Sequence, residues 1–123
     1  MMVDKVEHFT DLVVWRRSHE VFLEILEDVE GYPRTWGAEI VVKQLLRSSS
    51  SIGANIAEGF NRTKRQFLNF LEIARGSCYE TENWLYKARD AGFLDREIAA
   101  QRIRKTIEIN KMLYSLSSKI QAR

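Results

Sequence analysis

Histidine and cysteine are the residue types most often found as metal ligands or nucleophiles, and this chain has only His8, His19 and Cys78. A di-iron centre between helices needs inward glutamates and paired E-x-x-H motifs. Here Lys5 stands three residues before His8, and Arg16 stands three residues before His19. The chain also lacks a C-x-x-C pair for structural zinc. We therefore predict no metal site and no cofactor.

The single cysteine and the second histidine both fall on stripes of helical spacing. Cys78 shares its stripe with Ala74 and Thr81, and a cysteine in that setting usually packs as a small hydrophobe. His19 follows Trp15 by four residues, which favours a core or boundary histidine with one hydrogen bond. Neither residue has the partners of a nucleophile or a general base, so we predict that the protein is not an enzyme.

The segment SIGANIAEG contains the other polar residues that could form a site. Gly53 and Gly59 do not predict a phosphate-binding loop, because a helix separates them instead of a strand-to-helix turn. We interpret Asn55, Glu58 and Gly59 as a structural motif. Asn55 and Glu58 would satisfy backbone donors in the turn at 59–63 and at the start of the next helix. No small-molecule substrate is predicted.

Basic residues are the remaining candidates for function. The net charge is only +2, so a nucleic-acid partner would depend on how the basic residues are clustered. The residues that we predict to contact nucleic-acid phosphates are Arg62, Lys64, Arg65, Arg75, Arg89, Arg102, Arg104 and Lys105. The alternative is that they lie on solvated helix faces and pair with carboxylates one turn away.

An acidic cluster lies near the end of the first apolar segment and consists of Glu24, Glu27, Asp28 and Glu30. The C-terminus of a helix is the negative pole of its dipole, so carboxylates are unfavourable there. The cluster therefore predicts a basic neighbour.

Composition indicates which elements position these residues. The chain has 123 residues, of which 45% are hydrophobic and 29% charged, with six glycines and one proline. This favours one domain, 1–123, made of a few long elements. No apolar run approaches the roughly 20 residues of a membrane span, and the N-terminal MMVDKVEHFTD lacks the apolar core of a signal peptide. With a single cysteine, we predict a cytoplasmic protein with no membrane partner.

Four helices are predicted, at about 12–30, 39–59, 64–91 and 96–121. Their predicted C-terminal glycines are Gly31, Gly59 and Gly92. Their predicted N-terminal caps are Thr10 or Asp11, a capping box of Thr63 with Gln66, and Asp95. Short turns between long amphipathic helices predict an all-α fold, an antiparallel up-down-up-down four-helix bundle.

Apolar residues recur at alternating spacings of three and four in every segment, which predicts the core faces. In the first helix the predicted face is Leu12, Trp15, His19, Phe22, Leu26 and Val29. In the second it is Val41, Leu45, Ser48, Ile52, Ile56 and Gly59. In the third it is Phe67, Leu71, Ala74, Cys78, Thr81, Leu85 and Ala88. In the fourth it is Ala99, Ile103, Thr106, Asn110, Leu113, Ser117 and Ile120.

The second helix contains the run SSSSIGA, which lowers helix propensity by about 3 kcal/mol in sum relative to alanine. Small side chains are tolerated where another backbone must come close. One interpretation is that this helix lies deep in its own bundle. The other is that a second face contacts another subunit, as the tyrosines interleaved with arginines on the third helix also indicate. The predicted interface residues are Ser50, Gly53, Ala54, Leu68, Tyr79 and Tyr86.

Three stretches resemble one bacterial family, namely DLVVWRRSHE, QLLRSSSSIGANIAEGFNR and FLNFLEIARGSCYETENWLYKARDAGFL. This is the family of small four-helix-bundle proteins encoded in intervening sequences of large-subunit ribosomal RNA genes. The accessory variability proteins of diversity-generating retroelements share this pattern, whose most specific part is S-I-x-x-N-I-A-E-G. The resemblance implies a homopentameric barrel. For the retroelement members it also implies that basic surfaces bind nucleic acid and a reverse transcriptase.

From the residues and the resemblance together, the expected function is that of a non-enzymatic oligomer that binds structured RNA or DNA, with a reverse transcriptase as a further partner. The alternative is a structural homo-oligomer that binds another protein. In that case Tyr79, Tyr86, Trp36 and Trp84 would be the anchors, and the basic residues would pair with the acidic first helix of a neighbouring subunit.

Overall fold

A computed structural model describes residues 5–123, which contain four helices and no strand. Residues 1–4 of the predicted domain and of the N-terminal segment lie outside the described residues. The helices are α1 (Val13–Asp28), α2 (Trp36–Gly59), α3 (Lys64–Asp90) and α4 (Arg96–Gln121). Each packs against two others, α1 and α3 both contacting α2 and α4. The all-α class and the helical bundle are confirmed.

Two of the predicted helix caps are present. Thr63 accepts a hydrogen bond from the backbone N–H of Gln66 at 3.2 Å, and the Gln66 side chain accepts one from the backbone N–H of Thr63. The carboxylate of Asp95 accepts from the N–H groups of Glu97 and Ile98. These caps satisfy the first N–H groups of α3 and α4, so both helices begin where capping chemistry predicts.

The predicted cap of α1 is wrong. Thr10 and Asp11 lie in a short 3-10 helix, Phe9–Asp11, one residue before the N-cap of α1, Leu12. The Asp11 carboxylate accepts hydrogen bonds from the backbone N–H groups of Glu7 and His8, and these bonds lower the pKa of Asp11. Asp11 thus stabilises the turn that precedes α1.

The second helix begins at Trp36, earlier than the predicted start at 39. Thr35 adopts an extended conformation, and its hydroxyl accepts a hydrogen bond from the N–H of Ala38 at 3.2 Å. A threonine cap of this kind starts the helix before the first periodic apolar residue. The added turn carries Trp36 itself, which is 87% exposed.

The predicted core faces of α2, α3 and α4 agree with the observed burial. All six predicted residues of α2 are buried, and so are all those of α3 except the half-buried Phe67. On α4 the stripe is buried from Ala99 to Leu113, and Ser117 and Ile120 near its end are half-buried.

The predicted core face of α1 is wrong. The buried residues are Val14, Ser18, Val21 and Ile25, whereas the predicted stripe from Trp15 to Leu26 is half-buried or exposed. The helix is apolar on two faces, and periodicity alone cannot decide between two apolar stripes on one helix. The predicted stripe carries the larger aromatic side chains, which lie instead over α2.

Two of the four serines of α2, Ser48 and Ser51, lie where α2 meets α3. The Thr81 hydroxyl donates to Ser48 Oγ at 3.0 Å, and the Ser77 hydroxyl donates to Ser51 Oγ at 3.0 Å. The Ser49 hydroxyl donates to the carbonyl of Leu45 at 2.7 Å. Small hydroxyl side chains therefore bring two helices close together and satisfy their own polar groups.

Only one predicted C-terminal glycine has the left-handed backbone of a helix stop. Gly92 has φ 78°, and the N–H of Phe93 bonds to the carbonyl of Ala88 at 2.9 Å, which closes a Schellman motif. Gly59 has no positive φ. A Cβ there would lie 2.6 Å from the Cβ of Phe70, so glycine is required by close packing of α2 against α3.

We expect Gly59→Ala to lower the free energy of unfolding by about 1–3 kcal/mol, because the added methyl group overpacks the contact with Phe70. The matched control is Gly76→Ala on α3, where an added Cβ has no atom within 4 Å. That change should raise stability by about 0.5–1 kcal/mol through helix propensity. Urea unfolding followed by circular dichroism measures both. Equal effects of the two substitutions would contradict the packing explanation.

Candidate nucleic-acid interface

The acidic end of α1 is neutralised within the same chain. Arg102 Nε lies 2.7 Å from Asp28 Oδ2, and Arg102 Nη2 lies 3.1 Å from Asp28 Oδ1, which makes a bidentate pair. Arg102 Nη1 also donates to Glu24 at 3.2 Å. Lys105 Nζ contacts both oxygens of Glu24, at 2.9 and 2.8 Å. We call these four residues the acidic-end network.

Burial makes this network more than a surface pair. The side chains of Arg102 and Asp28 are 12% and 10% exposed. The hydrogen bond with Asp28 raises the pKa of Arg102 above its usual value, although desolvation opposes that effect. The predicted basic neighbour of the acidic cluster is thus α4 of the same chain, whereas the alternative hypothesis placed it on another subunit. Arg102 and Lys105 were predicted to contact phosphate, and the network occupies both.

Three of the residues predicted to contact phosphate lie together at the C-terminal end of α2, where the chain turns into α3. Arg62 donates from Nε to the carbonyl of Glu58 at 3.2 Å, and its guanidinium lies 5.6 Å from the centroid of the Phe70 ring. Lys64 Nζ donates to the backbone oxygen of Arg123, which brings the end of α4 to this turn. The exposed residues of this basic end are Arg62, Lys64, Arg65, Lys119 and Arg123.

The basic end coincides with the N-terminus of α3. Lys64 and Arg65 are in the first turn of that helix, and no acidic residue lies there. Cations at the positive pole of a helix dipole are unfavourable by about 0.3–1 kcal/mol each. The same arrangement attracts an anion, since the dipole and both side chains have the same sign. The placement therefore lowers helix stability and makes the local potential positive.

The other predicted basic residues line a groove between α3 and α4. Arg75 Nε donates to Asn110 Oδ1 at 2.8 Å, and its guanidinium lies 5.0 Å from the ring centroid of Tyr114. Arg89 pairs with Asp90 at 2.8 Å. Arg104 is exposed and makes no ion pair within residues 5–123. We call this the tyrosine groove; its lining residues also include Tyr79, Tyr86, Ile107 and Lys111.

The predicted interface residues do not form one surface. Ser50, Gly53 and Ala54 line a groove between α1 and α2, whereas Tyr79 and Tyr86 line the tyrosine groove. Leu68 is half-buried on α3 and lines neither. The two sets were combined because helical spacing places residues on a face without showing which helix covers it.

The groove between α1 and α2 holds the aromatic residues that were predicted to be core. Its α1 side carries Trp15, whose ring stacks on His19 at 4.9 Å, and Phe22. The small residues of α2 form its other side, where a Cβ on Gly53 would lie 3.2 Å from Ser18 Oγ. We call it the α1–α2 groove. Large side chains on one wall and small ones on the other leave an open apolar surface.

The predicted role of Asn55 and Glu58 at the 59–63 turn is wrong, because within the described residues neither side chain accepts a hydrogen bond from a backbone N–H of that turn. Asn55 Nδ2 donates to the carbonyl of Ser51 at 2.8 Å and to Ser51 Oγ at 2.9 Å, within α2. Since Ser51 Oγ also accepts from Ser77, Asn55 is part of the contact between α2 and α3. The carboxylate of Glu58 lies 3.9 Å from Arg62 and so faces the basic end.

Cys78 is buried, and burial raises the pKa of its thiol to about 12. A thiol with this pKa is protonated at neutral pH and is a poor nucleophile. Among residues 5–123, no group of three or more histidine, cysteine, aspartate or glutamate side chains is placed to hold a metal ion. No helix within the described part of the chain is long and apolar enough to cross a membrane.

The fold and these surfaces define a small helical-bundle protein with a basic end and two open grooves. The sequence model of the family described as 23S rRNA-intervening sequence protein matches residues 10–115. The chain therefore belongs to this family, which confirms that part of the predicted resemblance. The link to retroelement accessory proteins stays a prediction.

A crystal structure from Bacteroides thetaiotaomicron has the same fold. It is described as a protein with unknown function from the S23 ribosomal protein family, and it superposes with a TM-score of 0.79 at 33% sequence identity. The match covers 85% of this chain and 98% of that one. Comparison with curated proteins gave no match.

Several surface residues were missed as functional candidates by sequence reasoning. Tyr114 and Ile107 continue the tyrosine groove along α4, and Lys119 and Arg123 complete the basic end. The spacing of 104, 107, 111 and 114 is that of one helix face, so the stripe was detectable. The proximity of Arg123 to Lys64 was not, because it depends on how the helices pack.

We expect Arg102→Met to lower the free energy of unfolding by about 3 kcal/mol, because Asp28 would remain buried without its partner. The matched control is Arg104→Met, two residues along the same helix, which should change stability by less than about 0.5 kcal/mol. Chemical denaturation of both variants at neutral pH is the measurement. If Arg102→Met costs no more than the control, the acidic-end network does not stabilise the fold.

Proposed function

We propose that this protein is a non-enzymatic, self-associating protein that binds structured RNA or DNA through phosphate contacts. The observation that carries the proposal is the basic end, where three adjacent cations (Arg62, Lys64 and Arg65) lie at the positive pole of α3. The family name, which refers to 23S rRNA, makes RNA the first candidate. Phosphate contacts carry no base information, so sequence specificity should be low.

The division of charge supports this proposal. With the acidic-end network formed, Glu24 and Asp28 are paired at one end of the bundle. At the other end Arg62 lies 3.9 Å from the carboxylate of Glu58, and Lys64 donates to the backbone oxygen of Arg123. A net charge of +2 is thus compatible with a local site for an anion, because the local field decides where a phosphate backbone binds.

The finer architecture belongs to the same proposal. An antiparallel arrangement is supported by the contacts of Ser48 with Thr81 and of Ser51 with Ser77, whose numbering runs in opposite directions. A homopentamer is supported by the family resemblance and by the open α1–α2 groove, which a second copy would cover. A reverse transcriptase as a further partner rests on the resemblance to the retroelement accessory proteins.

A second candidate function is structural assembly with another protein. The observation that favours it is Trp36, which is 87% exposed beside a pocket lined by Leu26, Val42 and Leu46. Exposed tryptophans are common anchors of protein interfaces. Trp84, the other tryptophan proposed as an anchor, is half-buried against the core and has Lys87 over its ring at 5.8 Å, which leaves Trp36 as the stronger anchor.

The nucleic-acid proposal predicts that the double substitution Lys64→Glu and Arg65→Glu weakens binding to a duplex and lowers its salt dependence. Each lost phosphate contact reduces the slope of log affinity against log salt by about 0.9. Stability should not fall, because acidic residues are favourable in the first turn of a helix. The measurement is binding of a labelled hairpin RNA and a duplex DNA across a salt series.

The control for this experiment is Lys43→Glu, an exposed cation on α2 far from the basic end. It changes the total charge without touching the basic end, so it should alter affinity much less. A loss equal to that of the double variant would indicate attraction by net charge alone. Absence of binding by the unmodified protein at about 50 mM salt, where phosphate contacts are strong, would refute the proposal.

The self-association proposal predicts that Ala54→Glu dissociates the oligomer, because the change places a charge in the α1–α2 groove. Ala54 is exposed in the single chain, so the helix content and unfolding midpoint of the subunit should be retained. Ala100→Glu, an exposed alanine in the tyrosine groove, is the matched control. Light scattering gives the mass of each variant. A control that dissociates as readily as Ala54→Glu would place the contact elsewhere.

A further inference from the structure

The tyrosine groove consists of two rows of side chains that face each other across α3 and α4. The α3 row contains Arg75, Tyr79, Glu82, Tyr86 and Arg89. The α4 row contains Ala100, Arg104, Ile107, Lys111 and Tyr114. Both rows repeat at spacings of three and four, so each forms a continuous line along its helix. At 1.5 Å per residue the α3 row is about 21 Å long.

Two guanidinium groups lie over tyrosine rings in this groove. The Arg75 guanidinium lies 5.0 Å from the Tyr114 centroid, and the Arg89 guanidinium lies 4.9 Å from the Tyr86 centroid. Arg75 is held in place by its hydrogen bond to Asn110, a residue that is itself buried. Flat cationic and aromatic groups are thereby presented at fixed positions.

The tyrosine rings remain accessible. Tyr79 is 60% exposed and Tyr114 is 59% exposed. The hydroxyl of Tyr86 donates to the Glu82 carboxylate at 3.0 Å, which orients the ring of Tyr86, whereas Tyr79 has no hydrogen bond or ring partner within residues 5–123. A planar group can therefore stack on Tyr79 without displacing a protein contact.

We propose that the tyrosine groove binds a single-stranded segment of nucleic acid, with bases stacked on Tyr79 and Tyr114 and phosphates contacting Arg104 and Lys111. This inference rests on the proposed nucleic-acid function and specifies a second surface for it, separate from the basic end. Stacking platforms beside cationic side chains are the general means of binding single strands without reading their sequence. Unpaired loops and ends of a structured RNA would provide such segments.

Charge and shape favour a nucleic acid over a protein helix as the occupant. The groove is lined by four cations, Arg75, Arg89, Arg104 and Lys111, and by two carboxylates, Glu82 and Glu108. Asp90 pairs with Arg89, so the excess of positive charge comes from the other three cations. Its aliphatic floor is limited to Ile103 and Ile107, whereas a docked helix needs several apolar anchors in a groove. Arg104 and Lys111 lie in one row along α4 and form no ion pair within residues 5–123.

The test compares Tyr79→Ala with Tyr79→Phe, using a labelled oligouridylate RNA of about 10 nucleotides, within the range of single-strand site sizes. A DNA oligonucleotide of matching sequence is measured in parallel. We expect Tyr79→Ala to weaken single-strand binding by about 5- to 150-fold, the loss expected for one stacked base. Tyr79→Phe should bind like the unmodified protein, because it retains the ring. Trp36→Ala, an exposed aromatic outside the groove, is the control.

Three results would overturn this inference. One is equal single-strand binding by Tyr79→Ala and the unmodified protein, and another is an equal loss in Trp36→Ala. The third is a change of oligomeric mass in Tyr79→Ala, which would assign the groove to a subunit contact. In each case binding of hairpin RNA or duplex DNA through Lys64 and Arg65 still tests the proposed function separately, so failure of one does not imply failure of the other.

Discussion

Two hydroxyl pairs, Ser48 with Thr81 and Ser51 with Ser77, hold α2 directly against α3. This close approach requires small side chains along α2, and at Gly59 it excludes even a methyl group. The serine run lowers the helix propensity of α2, and the tertiary contact of α2 with α3 compensates for this loss. The other surfaces depend on this contact between α2 and α3, because it fixes which face of α2 is buried and which face is left for α1 and for solvent.

The small side chains of α2 provide little apolar surface on the side that faces α1. The large side chains of α1 provide most of the apolar surface there. The inner face of α1 carries Val21 and Ile25, while its aromatic residues lie over the glycine and alanines of α2. Large residues opposite small ones form a shaped surface that is not closed by the single chain. The same asymmetry leaves α3 and α4 to form a groove of different chemistry, with tyrosine and arginine in place of alanine and serine.

Sequence periodicity was sufficient where a helix has one apolar stripe. The stripes of α2 and α3 were predicted almost residue by residue, and capping chemistry fixed the starts of α3 and α4. It failed on α1, where two apolar faces compete and only packing against α2 and α4 decides which is buried. It also failed at Asn55, whose partner Ser51 is one turn back along the same helix. A side chain with several reachable acceptors cannot be assigned from spacing alone.

The pairing of charged residues was the property hardest to predict from the sequence, because ion pairs between helices depend on the fold. Arg102 and Arg104 are two residues apart, yet one is enclosed by carboxylates and the other is exposed. Because a helix has 3.6 residues per turn, two residues correspond to a rotation of about 200° around the helix axis. This rotation places Arg102 against the carboxylates of α1 and Arg104 in solvent. The helix face on which a basic residue lies thus decides whether it pairs with a carboxylate of the bundle. Arg102 and Lys105, which face the end of α1, pair with its carboxylates, whereas Arg104 is exposed and forms no ion pair within residues 5–123.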